Sequence, residues 1–180
     1  MPTGSRNGST RTAVSGDEHA TLTGKATGPV ATMAGPAADA GDTPVTDEEL
    51  RQLLLDTKTI AVVGLSANPD RPSNQVAWYL HHQGYRLFGV NPKCPQSEVF
   101  GVPMFPSLDE VPEPIDMVDV FRRPEYTPDV ARQAVAAGAH ALWLQLGIAN
   151  PEARAIAEAG GLQYVEDRCL KVEHARLLRA

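Results

Sequence analysis

The sequence predicts an α/β fold: a doubly wound, mainly parallel sheet of about five strands with helices on both faces. Two observations predict it. Short apolar runs alternate with helical stretches of roughly 10 to 15 residues, and that alternation implies right-handed crossovers between parallel strands. The clearest of those runs is apolar at every position, as a strand covered by helices on two faces should be.

Each element carries its own punctuation. Thr46 and Glu49 have capping-box spacing, and Leu50, Leu53 and Leu54 follow at helical spacing, so a short helix opens the ordered chain. Ile60 to Gly64 is the first strand, wholly apolar and ended by glycine. Ser73 is placed to cap a helix running to about Gln83, which Gly84 ends. Arg86 to Val90 is a second strand, halted by Asn91-Pro92. Ser107 and Glu110 can cap one helical turn before Pro112, and Ile115 to Phe121 is the third main strand. Thr127, Pro128 and Asp129 read as a cap, a first-turn proline and a first-turn acid, and the helix they start ends near Gly138. Ala141 to Leu144 is the fourth strand. Asn150, Pro151 and Glu152 repeat the helix-start chemistry, Gly160-Gly161 stops that helix, and Leu162 to Val165 is the fifth strand. A last helix covers Leu170 to Leu178. The pattern is Rossmann-like.

The chain of 180 residues has the length of one domain with a tail. Composition breaks at Pro44. About two thirds of residues 1–44 are Gly, Ala, Ser, Thr or Pro, with no aromatic residue, so they are expected to form a disordered extension to a domain over 45–180. A net charge of −6 argues against a general nucleic-acid binder. No apolar run approaches the roughly 20 residues that span a bilayer, and the first thirty lack a signal core, so a cytoplasmic location is expected with no membrane partner. Cys94 and Cys169 are too far apart for a zinc motif or a disulfide framework. His81, His82 and His140 have no ligand-spaced neighbours, so no metal is expected, and His174 is expected to be structural.

In a doubly wound sheet the ligand sits at the carboxyl ends of the strands, which selects four loops. The first runs from Gly64 to Ser73. Gly64 permits a tight turn, Ser66 and Asn68 offer short polar groups, and Arg71 adds a charge at a helix start that suits phosphate. It is not a G-x-G-x-x-G loop: only the first glycine is present. The second is Asn91-Pro92-Lys93-Cys94. An NAD site would place an acid there; Asn91 and Lys93 instead suit a phosphorylated ribose, as in NADP or the 3′-phospho-ADP half of coenzyme A. In the third, Phe121 can pack on an adenine or a pantetheine arm, and Arg122 or Arg123 can reach phosphate. In the fourth, Gln145 can hydrogen-bond an amide and Gly147 lets a ligand come close. Convergence of small polar and basic groups at one sheet edge is what a phosphorylated cofactor needs.

With these residues assembled, the chain resembles the small bacterial CoA-binding proteins, whose fold is similar to the CoA-binding domain of the succinyl-CoA synthetase alpha subunit. The phrases that carry the resemblance are Val62 to Ser66, Gly84 to Arg86 with Val90 to Pro92, Val118 to Arg122, Trp143 to Gly147, and Asp167 to His174. They run in order over nearly all of residues 57–178. The resemblance implies coenzyme A across the strand ends. Ser66 and Arg71 would meet phosphates, and Asn91, Pro92 and Lys93 would face the nucleotide. Phe121 and Arg122 would flank it, and Gln145 and Gly147 would approach the pantetheine. The synthetase subunit carries its phosphorylated histidine in a second domain, for which this chain has no residues.

The expected function is non-catalytic binding of coenzyme A or an acyl-CoA, with no catalytic residue assigned. An NADP-dependent oxidoreductase is one alternative. The other is a thiol-redox role in which Cys169, just before the last helix, meets the ligand thiol and forms a mixed disulfide.

Overall fold

Burial follows the period-two geometry of the strands. In the first strand, β1 (Thr59–Val63), Ile60 and Val62 face one way and Ala61 and Val63 the other, and all four are buried. Two apolar cores therefore form, one on each side of the sheet. The protein is described here by a computed structural model covering residues 45–94 and 96–179; the expected N-terminal extension over 1–44 lies outside the described residues.

The helices are α1 (Asp47–Asp56), α2 (Pro72–His82), α3 (Thr127–Ala136), α4 (Pro151–Ala159) and α5 (Leu170–Leu178). The remaining strands are β2 (Arg86–Val90), β3 (Glu98–Val99), β4 (Val102–Phe105), β5 (Met117–Val120), β6 (Ala141–Leu144) and β7 (Gln163–Val165). Their order in the sheet is β3-β4-β2-β1-β5-β6-β7. Every pairing is parallel except β3 with β4. Helices α1, α2 and α5 cover the face that includes Val62 and Trp143, while α3 and α4 cover the face that includes Val63 and Leu144. The chain turns outward in opposite directions from β1 and β5, so the switch point lies between those two central strands.

The expected doubly wound architecture is present, with seven strands rather than about five. The extra pair is the β3–β4 hairpin at one edge. Its two turn residues, Phe100 (φ 42°) and Gly101 (φ 86°), both have positive φ, the conformation of a two-residue hairpin turn matched to strand twist. A strand of two residues and a partner holding Pro103 give almost no alternation signal, and Phe-Gly is an uncommon sequence for such a turn. This hairpin reaches the centre of the fold through Met104, whose side chain lies over Gly89 of β2 where any Cβ would collide with it.

Helix ends follow the sequence with three differences. The first is at Ser107, whose hydroxyl donates to the Glu110 carboxylate at 3.2 Å and caps no backbone N–H of the 3-10 turn Leu108–Glu110. Thr46 and Glu49 form the full capping box, and Asn150 accepts from the backbone N–H groups of Glu152 and Ala153. Gly84 (φ 93°) follows α2 with Tyr85 N–H on the Leu80 carbonyl and its own N–H on His81, the paired bonds of a Schellman ending. Ser73, however, does not cap α2. Arg71 occupies the cap position without a side-chain bond, Pro72 begins the helix, and the Ser73 hydroxyl accepts instead from Ser66 N–H at 3.2 Å. Likewise Thr127 is the first residue of α3, and its hydroxyl donates to the Pro124 carbonyl at 2.8 Å, closing a short 3-10 turn over Pro124–Tyr126.

Candidate functional site

The sheet ladder runs one bond beyond each central strand, and there the loops part. Gly64 N–H donates to Val90, Phe121 N–H to Val63, and Gln145 N–H to Val120. Above these positions lies a cleft of about 690 Å³. Its floor is Gly64, Phe121 and Gln145, at the ends of β1, β5 and β6. Ser66, Arg71 and Val76 form one wall, Arg122, Arg123 and Ile148 another, and Cys169 closes it at the start of α5.

The first loop is tied by its own hydrogen bonds. Ser66 Oγ accepts from Asn68 N–H, Asn68 Oδ1 accepts from Asp70 N–H at 2.9 Å, and Asn74 donates to the Ser66 carbonyl at 2.8 Å. Helix α2, which leaves this loop, has no acid in its first turn, whereas α1, α3, α4 and α5 each have at least one. Its positive end is thus offset by no carboxylate of its own and carries Arg71. Among the described residues neither Arg71 nor Arg122 has a carboxylate partner, whereas Arg123 stands 3.9 Å from Glu125.

Seven of the twelve residues expected at the site line the cleft: Gly64, Ser66, Arg71, Phe121, Arg122, Gln145 and Cys169. The other five stand outside its walls, and Asn68, Asn91 and Gly147 have visible duties of their own. Asn68 is exposed and serves the turn just described. Asn91 donates from its amide to the Leu65 carbonyl at 2.9 Å and accepts from Lys93 N–H, so it ties the loop after β2 to the loop after β1. Pro92 and Lys93 are exposed beside it. Gly147 (φ 79°) donates its N–H to Asp167 Oδ1 at 2.7 Å. His174 is buried on α5 with its Nδ1 3.0 Å from the Tyr79 hydroxyl, away from the cleft, as a structural histidine should be.

Gln145 lines the cleft with little of its amide to spare. It is buried; Nε2 donates to Asp119 Oδ1 at 2.7 Å and Oε1 accepts from Leu170 N–H at 3.3 Å. Asp119, on β5, is itself fully buried between Val62 and Trp143 of the neighbouring strands. Burial pushes its carboxyl up to about 7, against the hydrogen bond from Gln145 that favours the ionised form. The sequence shows this residue only as a polar letter within the apolar run from Ile115 to Phe121. That break in the pattern is the one signal it offers. Arg123, Leu146 and Ile148 also belong to the cleft, and of these the strand-end logic pointed only to Arg123; Leu146 is 70% exposed at its rim.

The family model described as CoA binding domain matches residues 58–175. The chain belongs to that family. Protein YneT of Bacillus subtilis (strain 168) is 41% identical to it over 127 residues, 71% of this chain and 93% of the relative. The solved structure of a Thermus thermophilus protein, cell-free ID.343, is 43% identical with a TM-score of 0.71, covering 74% of this chain and 99% of that one. The ADP-forming acetate–CoA ligase II of Archaeoglobus fulgidus is 25% identical over 92 residues, half of this chain but 13% of the ligase. Among the described residues, no group of three or more His, Cys, Asp or Glu side chains is placed to hold a metal ion, and no helix is long and apolar enough to cross a membrane.

Proposed function

We propose that this protein binds coenzyme A or an acyl-CoA in the cleft above β1, β5 and β6, and that it catalyses no reaction of its own. The observation that carries the reading is the pairing of two arginines, Arg71 and Arg122, with an acid-free helix start around one cleft at the switch point. A phosphorylated ligand supplies the charge those groups lack, and the family model and the ligase match support coenzyme A as that ligand. The residues lining the cleft include no histidine and no carboxylate, so the walls offer binding groups rather than a proton-transfer pair. Lys93, which suited the phosphorylated ribose of NADP and of coenzyme A alike, stands outside the cleft and so favours neither; the family model is what ranks coenzyme A ahead of NADP.

Calorimetry with coenzyme A, dephospho-CoA and NADP tests the proposal. Binding of coenzyme A ahead of NADP is expected. No heat from coenzyme A at millimolar ligand removes it.

One observation keeps a second reading in play: the half-buried Cys169 thiol lines the same cleft. In that reading its thiolate attacks the disulfide of oxidised CoA, forming a protein–CoA disulfide and releasing one CoA thiolate, with no outside oxidant needed. Intact mass spectrometry after incubation with CoA disulfide should show one added CoA, absent in Cys169→Ser. An unmodified parent protein disposes of the thiol reading and leaves the binding reading intact.

A further inference from the structure

A carboxyl group at position 119 is an expensive choice. Strand geometry points this residue to the α5 side of the sheet, where Val62, Trp143 and Met117 are all apolar and fully buried. An aliphatic side chain would satisfy the site without desolvating a charge. Instead Asp119 is 0% exposed, and its Oδ2 has no hydrogen-bond partner among the described residues. Its Oδ1 accepts from Gln145 Nε2 at 2.7 Å.

That bond fixes an amide that could otherwise turn over. Leu170 N–H can only donate, so the Gln145 oxygen must face it and the Gln145 NH₂ must find an acceptor on the other side. Asp119 is that acceptor. Through Gln145 it reaches the turn that enters α5, which the end of β6 holds at two further points: Trp143 Nε1 donates to the Arg168 carbonyl at 2.7 Å, and Gly147 N–H donates to Asp167. Asp167 has φ 53°, a left-handed conformation that aspartate tolerates better than most side chains and that its bond from Gly147 helps to hold. Between these fixed points sits Cys169, in the wall of the cleft.

We propose that Asp119 is a positioning residue of the cleft: from inside the core it orients Gln145, and Gln145 in turn sets the place of the α5 start and of Cys169 against the bound ligand. The inference rests on the reading of the cleft as a coenzyme A site, but its effect on Cys169 stands without it. Asp119 does not touch the ligand.

Four full-length proteins test it: the parent, Asp119→Asn, Asp119→Val and Gln145→Met. Asparagine keeps an acceptor for Gln145; valine removes it and suits the strand. Coenzyme A affinity is measured by calorimetry, and alkylation of Cys169 by iodoacetamide is followed by peptide mass spectrometry. Thermal melting reports the fold. Asp119→Val is expected to melt at or above the parent temperature yet bind coenzyme A about fivefold more weakly, the loss of roughly one buried hydrogen bond. Its Cys169 alkylation rate should change by about threefold or more, against about twofold or less in Asp119→Asn, whose affinity also stays near the parent value. A merely structural carboxylate would move melting and leave the other two readings alone. If Asp119→Val does not fold, Gln145→Met breaks the same chain from its other end, and its Cys169 alkylation rate carries the test, because Gln145 itself lines the cleft. The proposal is overturned if the folded variants match the parent in both readings, or if asparagine fails as badly as valine. Should the parent itself not bind coenzyme A, the cleft reading fails, and the alkylation rates alone decide the role of Asp119.

Discussion

The backbone of Phe121 lies against Gly64 so closely that a side-chain carbon on residue 64 would stand 2.7 Å from the Phe121 carbonyl oxygen. This is where β1 and β5 part, and the contact is the floor of the cleft. Gly64 also has φ 94°, outside the range L-residues favour. Gly64→Ala therefore meets both a backbone clash and conformational strain. We expect it to lose about 2 to 3 kcal/mol of stability by urea denaturation. Gly147→Ala is the control: its φ of 79° carries strain, but nothing lies within 4 Å of the added carbon, so a loss nearer 1 kcal/mol is expected. Equal losses would show that the Phe121 contact costs nothing.

Asp119 makes stability depend on pH in the opposite sense to a salt-bridged carboxylate. Its folded pKa of about 7 lies above the unfolded value of about 3.9. Between those values the folded state holds a proton that the unfolded state has released. Its contribution is complete below about pH 4 and is lost as pH rises through about 7, at about 1.4 kcal/mol per pH unit at most. The side-chain amide of Asp119→Asn cannot titrate. The stability of the parent minus that of Asp119→Asn, from urea curves, should fall between about pH 5 and about pH 7 and then level. A difference independent of pH would mean that the buried carboxyl is not destabilised as its burial implies.

The alternation of apolar runs and capped helices made the parallel sheet legible, because β1, β2, β5, β6 and β7 bury both faces and their helices begin and end at Asn, Pro and Gly. The β3–β4 hairpin was not legible: its strands are too short to show a period, and Met104 matters through contact with Gly89 rather than through pattern. Strand-end logic pointed to the loops that line the cleft, and Arg71 and Arg122 stand among its lining residues. What it could not resolve was which side chains in a loop are already spent. Asn91 and Gln145 look free in the sequence, yet their amides hold Leu65 and Leu170. Sequence distance hid those partners, as it hid the link from Asp119 to Gln145.

Asn150 joins helix α4 to the cleft wall. Its Oδ1 caps the helix, and its Nδ2 donates to the Pro124 carbonyl at 2.9 Å, just beyond Arg122 and Arg123. Asn150→Ala removes both bonds and should cost about 1 to 2 kcal/mol in thermal or urea unfolding. Asn150→Asp keeps a good cap but loses the donor to Pro124. Kept as a cap, it should lose less stability than Asn150→Ala while binding coenzyme A more weakly by calorimetry. Unchanged affinity in Asn150→Asp would show that the Pro124 tether does not shape the site.

The three cleft arginines should contribute unequally, because of the three only Arg123 has a carboxylate beside it among the described residues. Arg71 stands at the acid-free start of α2, and Arg122 is half-buried with no carboxylate partner among the described residues. Arg123 is 80% exposed and near Glu125, so solvent and that acid already screen it. A charge-assisted bond to phosphate in a partly desolvated cleft is worth about 1.5 to 3 kcal/mol. Arg71→Gln and Arg122→Gln should therefore each weaken coenzyme A binding by about tenfold or more, and Arg123→Gln by about threefold or less. Raising salt should weaken parent binding and narrow the gap to the two strong variants, because the lost term is electrostatic. Titrating dephospho-CoA then assigns the contacts: the arginine that holds the 3′-phosphate is the one whose replacement no longer matters with that ligand. If all three variants bind coenzyme A like the parent, the positive groups around this cleft do not hold its phosphates.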